Sequence, residues 1–413
     1  MKAGLWREDN RVRLLENGEE YFPRVFASIG AATEEVLIEV FILFEDRVGN
    51  ELHARLIDAA RRGVRVRLVV DGYGSANLTA PFIEALTAAG VVFRMFDPSP
   101  RVLGIRTGVF RRLHRKLVVV DRDLAFIGGI NFSREHLRED GQMSKQDYAV
   151  EVDGPVVNDI RDLMLNDSER QGRRRPRWWH WWVPTPSTIL TRAQRGTARA
   201  MLAMRDNDRH RQDIERIYRA GIRSAQREIV IANAYFLPSY RLLRELRNAS
   251  QRGVAVHLIL QGRPDLRLVS WVEAQLHGYL LEGGVRIHEY CERPLHGKVA
   301  VVDDEWSTVG SSNLDPLSLA LNLEANLVIH DLSFTAQLRR SLKRLIQEEC
   351  REITYDPTQH GMLLRRLFGF MIFHVLRRVP VLAGWLPAHT GRRRTGPAVT
   401  RTQELGLHRD VGS

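Results

Sequence analysis

Histidine and lysine two residues apart, with an aspartate five residues further on, occur twice in this chain. His114-Arg115-Lys116 leads to Asp121, and His296-Gly297-Lys298 leads to Asp303. A small-residue turn ending in asparagine follows each, Gly128-Gly129-Ile130-Asn131 and Gly310-Ser311-Ser312-Asn313. The His, Lys, Asp and Asn of the two copies all stand at one offset of 182 residues (296 − 114), and such repetition points to two related halves that pool catalytic groups. The chemistry suited to this set is displacement at phosphorus. Lys116 and Lys298 offer point charges to anionic oxygens, and Asn131 and Asn313 offer amide donors for contact with phosphate. The small turn residues let backbone approach a ligand closely. One imidazole attacks while the other protonates the departing oxygen. The lysines and asparagines stabilise the charge that grows on the phosphoryl oxygens.

The elements that must position these groups are legible around them. The apolar, β-branched runs 117–120 and 299–302 predict buried strands carrying the motifs. Side chains two apart share a strand face, so His114 projects with Lys116 and His296 with Lys298. Asp121 and Asp303 complete the candidate catalytic set but stand at an odd separation from their lysines, so they are expected to point away and support the fold. The duplication extends further: Arg62-Gly63-Val64-Arg65-Val66 is echoed by Arg252-Gly253-Val254-Ala255-Val256, and Ala89-Gly90-Val91-Val92-Phe93 by Gly283-Gly284-Val285-Arg286-Ile287. Strand-like runs 36–41 and 229–234 precede amphipathic helical stretches 51–62 and 241–252. This alternation predicts an α/β fold in which each half is a mixed sheet flanked by helices. The expected boundaries are a first repeat over 1–170, a basic Trp-rich linker over 171–205, a second repeat over 206–355, and a C-terminal interfacial segment and tail over 356–413.

The doubled motif resembles the signature of the phospholipase D superfamily. Within it, IEVFILFEDRVGNELHARL (38–56), FRRLHRKLVVVD (110–121), KQDYAVEVDGP (145–155), IANAYFLP (231–238), the stretch 293–326 and GWLPAHT (384–390) are similar to bacterial cardiolipin synthases, the B-type branch most of all. The resemblance covers most of the chain. It implies two phospholipase D-like repeats packed with one active site at their interface, and a phosphatidyl-histidine intermediate. His114 would attack the phosphorus of one phosphatidylglycerol while His296 protonates the leaving glycerol. His296 would then deprotonate a hydroxyl of a second phosphatidylglycerol, giving cardiolipin. It also implies a carboxylate holding each imidazole in the right tautomer. Asp147 and Glu324, 33 and 28 residues after their own histidines (147 − 114; 324 − 296), are expected in that role.

No metal or other cofactor is expected, because lysine and histidine supply the charge and the proton transfer. Cys291 and Cys350 lie far apart and indicate neither a zinc site nor a disulfide framework. The segment 172–182 holds four of the eight tryptophans beside four arginines, a composition suited to contact with an anionic membrane surface. The apolar stretch 367–386 is interrupted by Arg377, Arg378 and Pro380, which fits an interfacial anchor better than a span. The first residues lack the apolar core of a signal peptide, so peripheral attachment to the cytoplasmic side of a bacterial inner membrane is expected. A net charge of +11 suits anionic lipid, and equally nucleic acid; the aromatic–basic segment favours lipid, and no nucleic-acid partner is expected. Two rival readings are a hydrolytic phospholipase D or nuclease using the same site, and a catalytically inactive basic tether. Retention of both complete motifs speaks against the tether.

Overall fold

The two halves repeat one another strand for strand, apart from one added strand at the end of the second. In the first, β1 (Arg7–Glu16) is followed by α1 (Asn17–Ala31), β2 (Glu35–Val40), α2 (Arg47–Arg61), β3 (Arg65–Asp71), α3 (Ala80–Ala88) and β4 (Val92–Phe96). The chain then forms β5 (Leu117–Val120), β6 (Leu124–Gly128), β7 (Tyr148–Asp153) and α4 (Val156–Arg170). The second half runs through β8 (Ala198–Arg205), α5 (Asp213–Ser224), β9 (Glu228–Asn233), α6 (Tyr240–Gln251), β10 (Ala255–Gln261) and β11 (Arg286–Tyr290). It closes with β12 (Lys298–Val302), β13 (Trp306–Gly310), β14 (Glu324–His330), α7 (Leu332–Arg344) and an added strand, β15 (Cys350–Ile353). The structure is a computed structural model, and it describes residues 5–97, 101–102, 105–106, 112–170, 196–262, 276–315, 318–319 and 321–354. The Trp-rich segment 172–182 and the apolar stretch 367–386 lie outside the described residues. Among the described residues, no helix is long and apolar enough to cross a membrane.

The echoed Arg-Gly-Val segments are helix stops. Gly63 and Gly253 take φ of 89° and 90° after α2 and α6, a conformation that costs glycine little. The N–H groups of Val64 and Val254 then donate to the carbonyls of Ala59 and Ala249, 3.1 Å in both cases. Each chain reversal delivers a strand parallel to its predecessor: β3 beside β2, and β10 beside β9.

All of these strands form one 15-stranded sheet in the order β4-β3-β2-β5-β6-β7-β1-β8-β14-β13-β12-β9-β10-β11-β15. Reading outward from the β1–β8 seam, each strand meets its repeat partner at the same place. The seam corrects the expected linker boundary. Ala198–Arg205, assigned to the linker from sequence, is a largely buried strand paired antiparallel to both β1 and β14. Its Ala, Met and Arg content carries little β-propensity, so tertiary pairing decides its conformation.

The apolar side chains form three main cores. Helices α1, α2 and α3 cover one face of the first half, and α5 and α6 the matching face of the second. The third core draws Leu117, Ile127 and Val150 together with Val299, Val309 and Leu327, along with α4 and α7. Strands β6 and β7 pack against β13 and β14, so the sheet folds back on itself there. Fully burying one such side chain stabilises by about 1.5–3 kcal/mol. A core drawn from both halves therefore fixes their relative placement far more firmly than a linker would.

Candidate active site

His114 and His296 stand just ahead of β5 and β12, where the chain leaves its own half to pair with the other. Leu113 bridges Leu323, and Leu295 bridges Gln146. The His114 N–H donates to the Leu323 carbonyl at 3.0 Å, while the N–H groups of His296 and Gly297 donate to the Gln146 carbonyl at 2.8 and 3.0 Å. Each histidine is thus set by backbone from the opposite repeat, next to the residue that precedes that repeat's carboxylate. Arg115, between His114 and Lys116, turns to the other face and lies 3.7 Å from Glu39, as strand alternation requires.

The carboxylates are exchanged between the halves. His114 Nδ1 lies 3.1 Å from Glu324 Oε2 and 3.0 Å from Oε1. His296 Nδ1 lies 2.5 Å from Asp147 Oδ2. Sequence spacing paired each carboxylate with the histidine of its own half, and the structure pairs them crosswise. The reason is topological: β7 and β14 sit near the seam, so their first residues face the opposite repeat. Both carboxylates are fully buried, and the imidazoles are 13% and 11% exposed. With Nδ1 engaged, the Nε2 edge of each ring remains for chemistry.

Lys116 Nζ donates to the His114 carbonyl at 2.6 Å, and Lys298 Nζ to the His296 carbonyl. Burial pushes the Lys116 ammonium down to about 7 and that of Lys298 to about 8. Each lysine also depresses the imidazole of the other half, Lys298 acting on His114 and Lys116 on His296, so the two motifs share one electrostatic site. Phe41 lines the first half-site, its ring 4.7 Å from the His114 ring and 5.3 Å from Lys116 Nζ.

The two dyads sit in different electrostatic surroundings. Burial drives the Asp147 carboxyl up to about 7 despite Lys298 nearby, and drives His296 well below its ordinary value. Burial acts on Glu324 in the same sense, but His114, Lys116 and the Ser311 hydroxyl outweigh it and hold its carboxyl below the ordinary range. Ser311 Oγ donates to Glu324 Oε2 at 2.5 Å. Ser311 belongs to the Gly-Ser-Ser-Asn turn, a pattern that by itself points to no such partner.

Asp121 and Asp303 are not brought into this cluster. They lie beyond the far ends of β5 and β12 at φ of 50° and 47°. Asp121 accepts from the N–H groups of Thr33, Glu34 and Glu35 at 2.7–3.0 Å, and Asp303 from those of Gln226, Arg227 and Glu228 at 2.8–3.0 Å. Each ties the chain entering β2 or β9 to the end of the motif strand, a supporting job as the odd spacing implied. Asn131 Oδ1 accepts from Ile42 N at 3.1 Å. Its Nδ2, a donor, and Asn313 Oδ1, an acceptor, are buried with no partner among the described residues.

His136 lies outside both motifs, and no spacing in the sequence singles it out. Its ring, Asp147 and His296 place nitrogen and oxygen atoms within 4.8 Å of one another, close enough for a cation. The hydrogen bonds speak against that use. His136 Nε2 accepts from Asn131 N, which leaves its proton on Nδ1, and Asp147 Oδ2 already accepts from His296.

The comparisons agree with this geometry. The family model described as cardiolipin synthase, phospholipase D-like domain, matches residues 25–160 and 218–346, one match per repeat. The chain is 50% identical over 405 residues to cardiolipin synthase B of Escherichia coli O6:H1, covering 97% of this chain and 96% of that protein. It is 32% identical over 364 residues to a cardiolipin synthase of a Geobacillus species, covering 86% and 70%. Among solved structures, phosphatidylserine synthase of Haemophilus influenzae superposes with a TM-score of 0.65 at 15% identity, covering 89% of this chain and 94% of that one, a likeness of fold. Two matched repeats, near-complete relatives and a site assembled crosswise from both halves lead to one conclusion: the chain belongs to the cardiolipin synthase family of phospholipase D-like enzymes.

Proposed function

We propose that this enzyme makes cardiolipin by moving a phosphatidyl group from one phosphatidylglycerol to another, with His114 as nucleophile and His296 as acid and base. His114 Nε2 forms a bond to phosphorus as the bond to the glycerol oxygen breaks, and His296 gives that oxygen its proton. His296 then takes the proton of a hydroxyl on a second phosphatidylglycerol, whose oxygen displaces His114 from phosphorus. Lys116 and Lys298 clamp the phosphoryl oxygens, and the amides of Asn131 and Asn313 add to the clamp. Asp147 and Glu324 orient the two imidazoles. The site works at an anionic membrane surface, on its cytoplasmic side, to which the chain binds peripherally.

The observation that carries the reading is the crosswise pair of dyads, His114–Glu324 and His296–Asp147. It leaves two Nε2 edges for one phosphorus. The two environments support this division of labour: His114, Lys116 and Ser311 hold the Glu324 carboxyl below its ordinary range behind the nucleophile, whereas burial raises Asp147 to about 7 beside the proton-carrying His296. Incubating the purified chain with phosphatidylglycerol vesicles tests the proposal. Cardiolipin and glycerol should appear in equal amounts; phosphatidic acid without cardiolipin would make the enzyme a hydrolase instead.

A further inference from the structure

The two carboxylates are held differently, and the difference begins in the sequence. Ser311 supplies a hydroxyl to Glu324, but the residue 182 positions earlier is Gly129. A Cβ at Gly129 would stand 2.2 Å from Asp147 Oδ1, so the first half has neither a side-chain donor at this turn nor room for one. Asp147 is held differently: its main-chain N–H donates to Asn17 Oδ1 and its carbonyl accepts from Asn17 N, both at 2.9 Å, and Tyr148 N donates to its Oδ1 at 2.8 Å. None of these three bonds reaches Oδ2, the oxygen bonded to His296.

His136 faces that oxygen. It ends a short 3₁₀ turn, Arg134–His136, and its side chain is fully buried. Its Nε2 accepts the Asn131 N–H at 3.2 Å, so the ring proton sits on Nδ1. That Nδ1 lies 3.7 Å from Asp147 Oδ2 and has no hydrogen-bond partner among the described residues. The ring stands edge-on to His296, with centroids 5.6 Å apart and planes at 70°. Besides Asp147 and His296, the charged groups around it are Lys145, Lys298, Lys116 and Arg293. Burial and these four cations hold the imidazole neutral. At the offset of 182 the second half carries Ser318 in place of this histidine, and its N–H donates to Asp315.

We infer that His136 is a positioning residue, whose neutral Nδ1–H closes onto Asp147 Oδ2 as His296 takes up a proton, and so does for Asp147 what Ser311 does for Glu324. The inference rests on the acid–base role proposed for His296. Two replacements separate its functions. His136→Gln keeps a polar atom near Nε2 for the Asn131 N–H but removes the donor facing Asp147, whereas His136→Asn keeps a donor near Nδ1. Partners of this kind typically contribute 10–100-fold. His136→Gln should keep its melting temperature and KM, lose about 10–100-fold in kcat, and shift the kcat–pH profile to lower pH as His296 loses part of its anionic partner. His136→Asn should recover most of the rate. Wild-type rate and profile in His136→Gln, or equal losses in both variants with an unmoved profile, would overturn the inference. Nitrogen NMR of the wild-type protein labelled in its histidines needs no variant: His136 should be neutral and protonated on Nδ1 from pH 6 to 8, and protonation on Nε2 would also overturn it. Were wild type to yield phosphatidic acid and no cardiolipin, the proposed function would fail, and the same variants would still read His136 through the hydrolysis rate.

Discussion

Lys116 and Lys298 are buried cations whose ammonium groups burial has pushed down to about 7 and about 8. For a base with a lowered pKa, charge is lost as pH rises through that value. An anionic guest between the lysines raises both pKa values again. Binding of inorganic phosphate at pH 8 should therefore take up protons, which calorimetry in buffers of different ionisation enthalpy reads directly. Binding heats independent of the buffer at pH 8 would contradict the two lysines as the anion clamp. Asp121 belongs at the same scale but to a different task. Its three backbone N–H bonds predict that Asp121→Ala lowers stability by about 1–3 kcal/mol. The rate per folded molecule should hold; a lost rate in fully folded protein would place Asp121 in the chemistry.

At the scale of elements, the turn after β6 and the start of β7 decide where Asp147 sits. Gly129→Ala would drive a methyl group into the Asp147 carboxylate. Cardiolipin formation should fall by on the order of 100-fold, because a displacement of about 1 Å at a positioning group costs that much. The melting temperature should change little by comparison, and a fully active Gly129→Ala would mean that Asp147 need not stay where it is. The motif strands, the supporting aspartates and the α/β alternation were legible in the sequence, because each rests on local pattern: β-branched runs, strand parity, glycine stops. What was not legible rests on contact between distant segments. Spacing suggested that Asp147 serves His114 and Glu324 serves His296, but no local signal reports that β7 and β14 face the opposite half. Ala198–Arg205 looked like linker because its place between β1 and β14 is a tertiary fact. A lone histidine such as His136 carries no pattern at all.

At the scale of the molecule, one continuous sheet and a shared core make the two repeats a single unit, with its reacting groups at the fold of the sheet. The net charge of +11 favours anionic surfaces, and exposed charge is screened within about 8–10 Å at physiological salt. Sedimentation with phosphatidylglycerol vesicles should weaken as salt is raised and weaken further when residues from 363 onward are removed. Binding insensitive to both changes would contradict the peripheral attachment. The central claim is that two half-sites act on one phosphorus, His114 forming the covalent bond and His296 moving the proton. A phosphatidyl donor with a nitrophenol leaving group needs no acid for departure, so it isolates the first step. Mixed with His296→Ala, it should release about one nitrophenolate per protein in a burst and leave the phosphatidyl mass on the His114 peptide, while His114→Ala should release none. A burst from His114→Ala with the adduct on His296, or no adduct in either variant, would contradict the account.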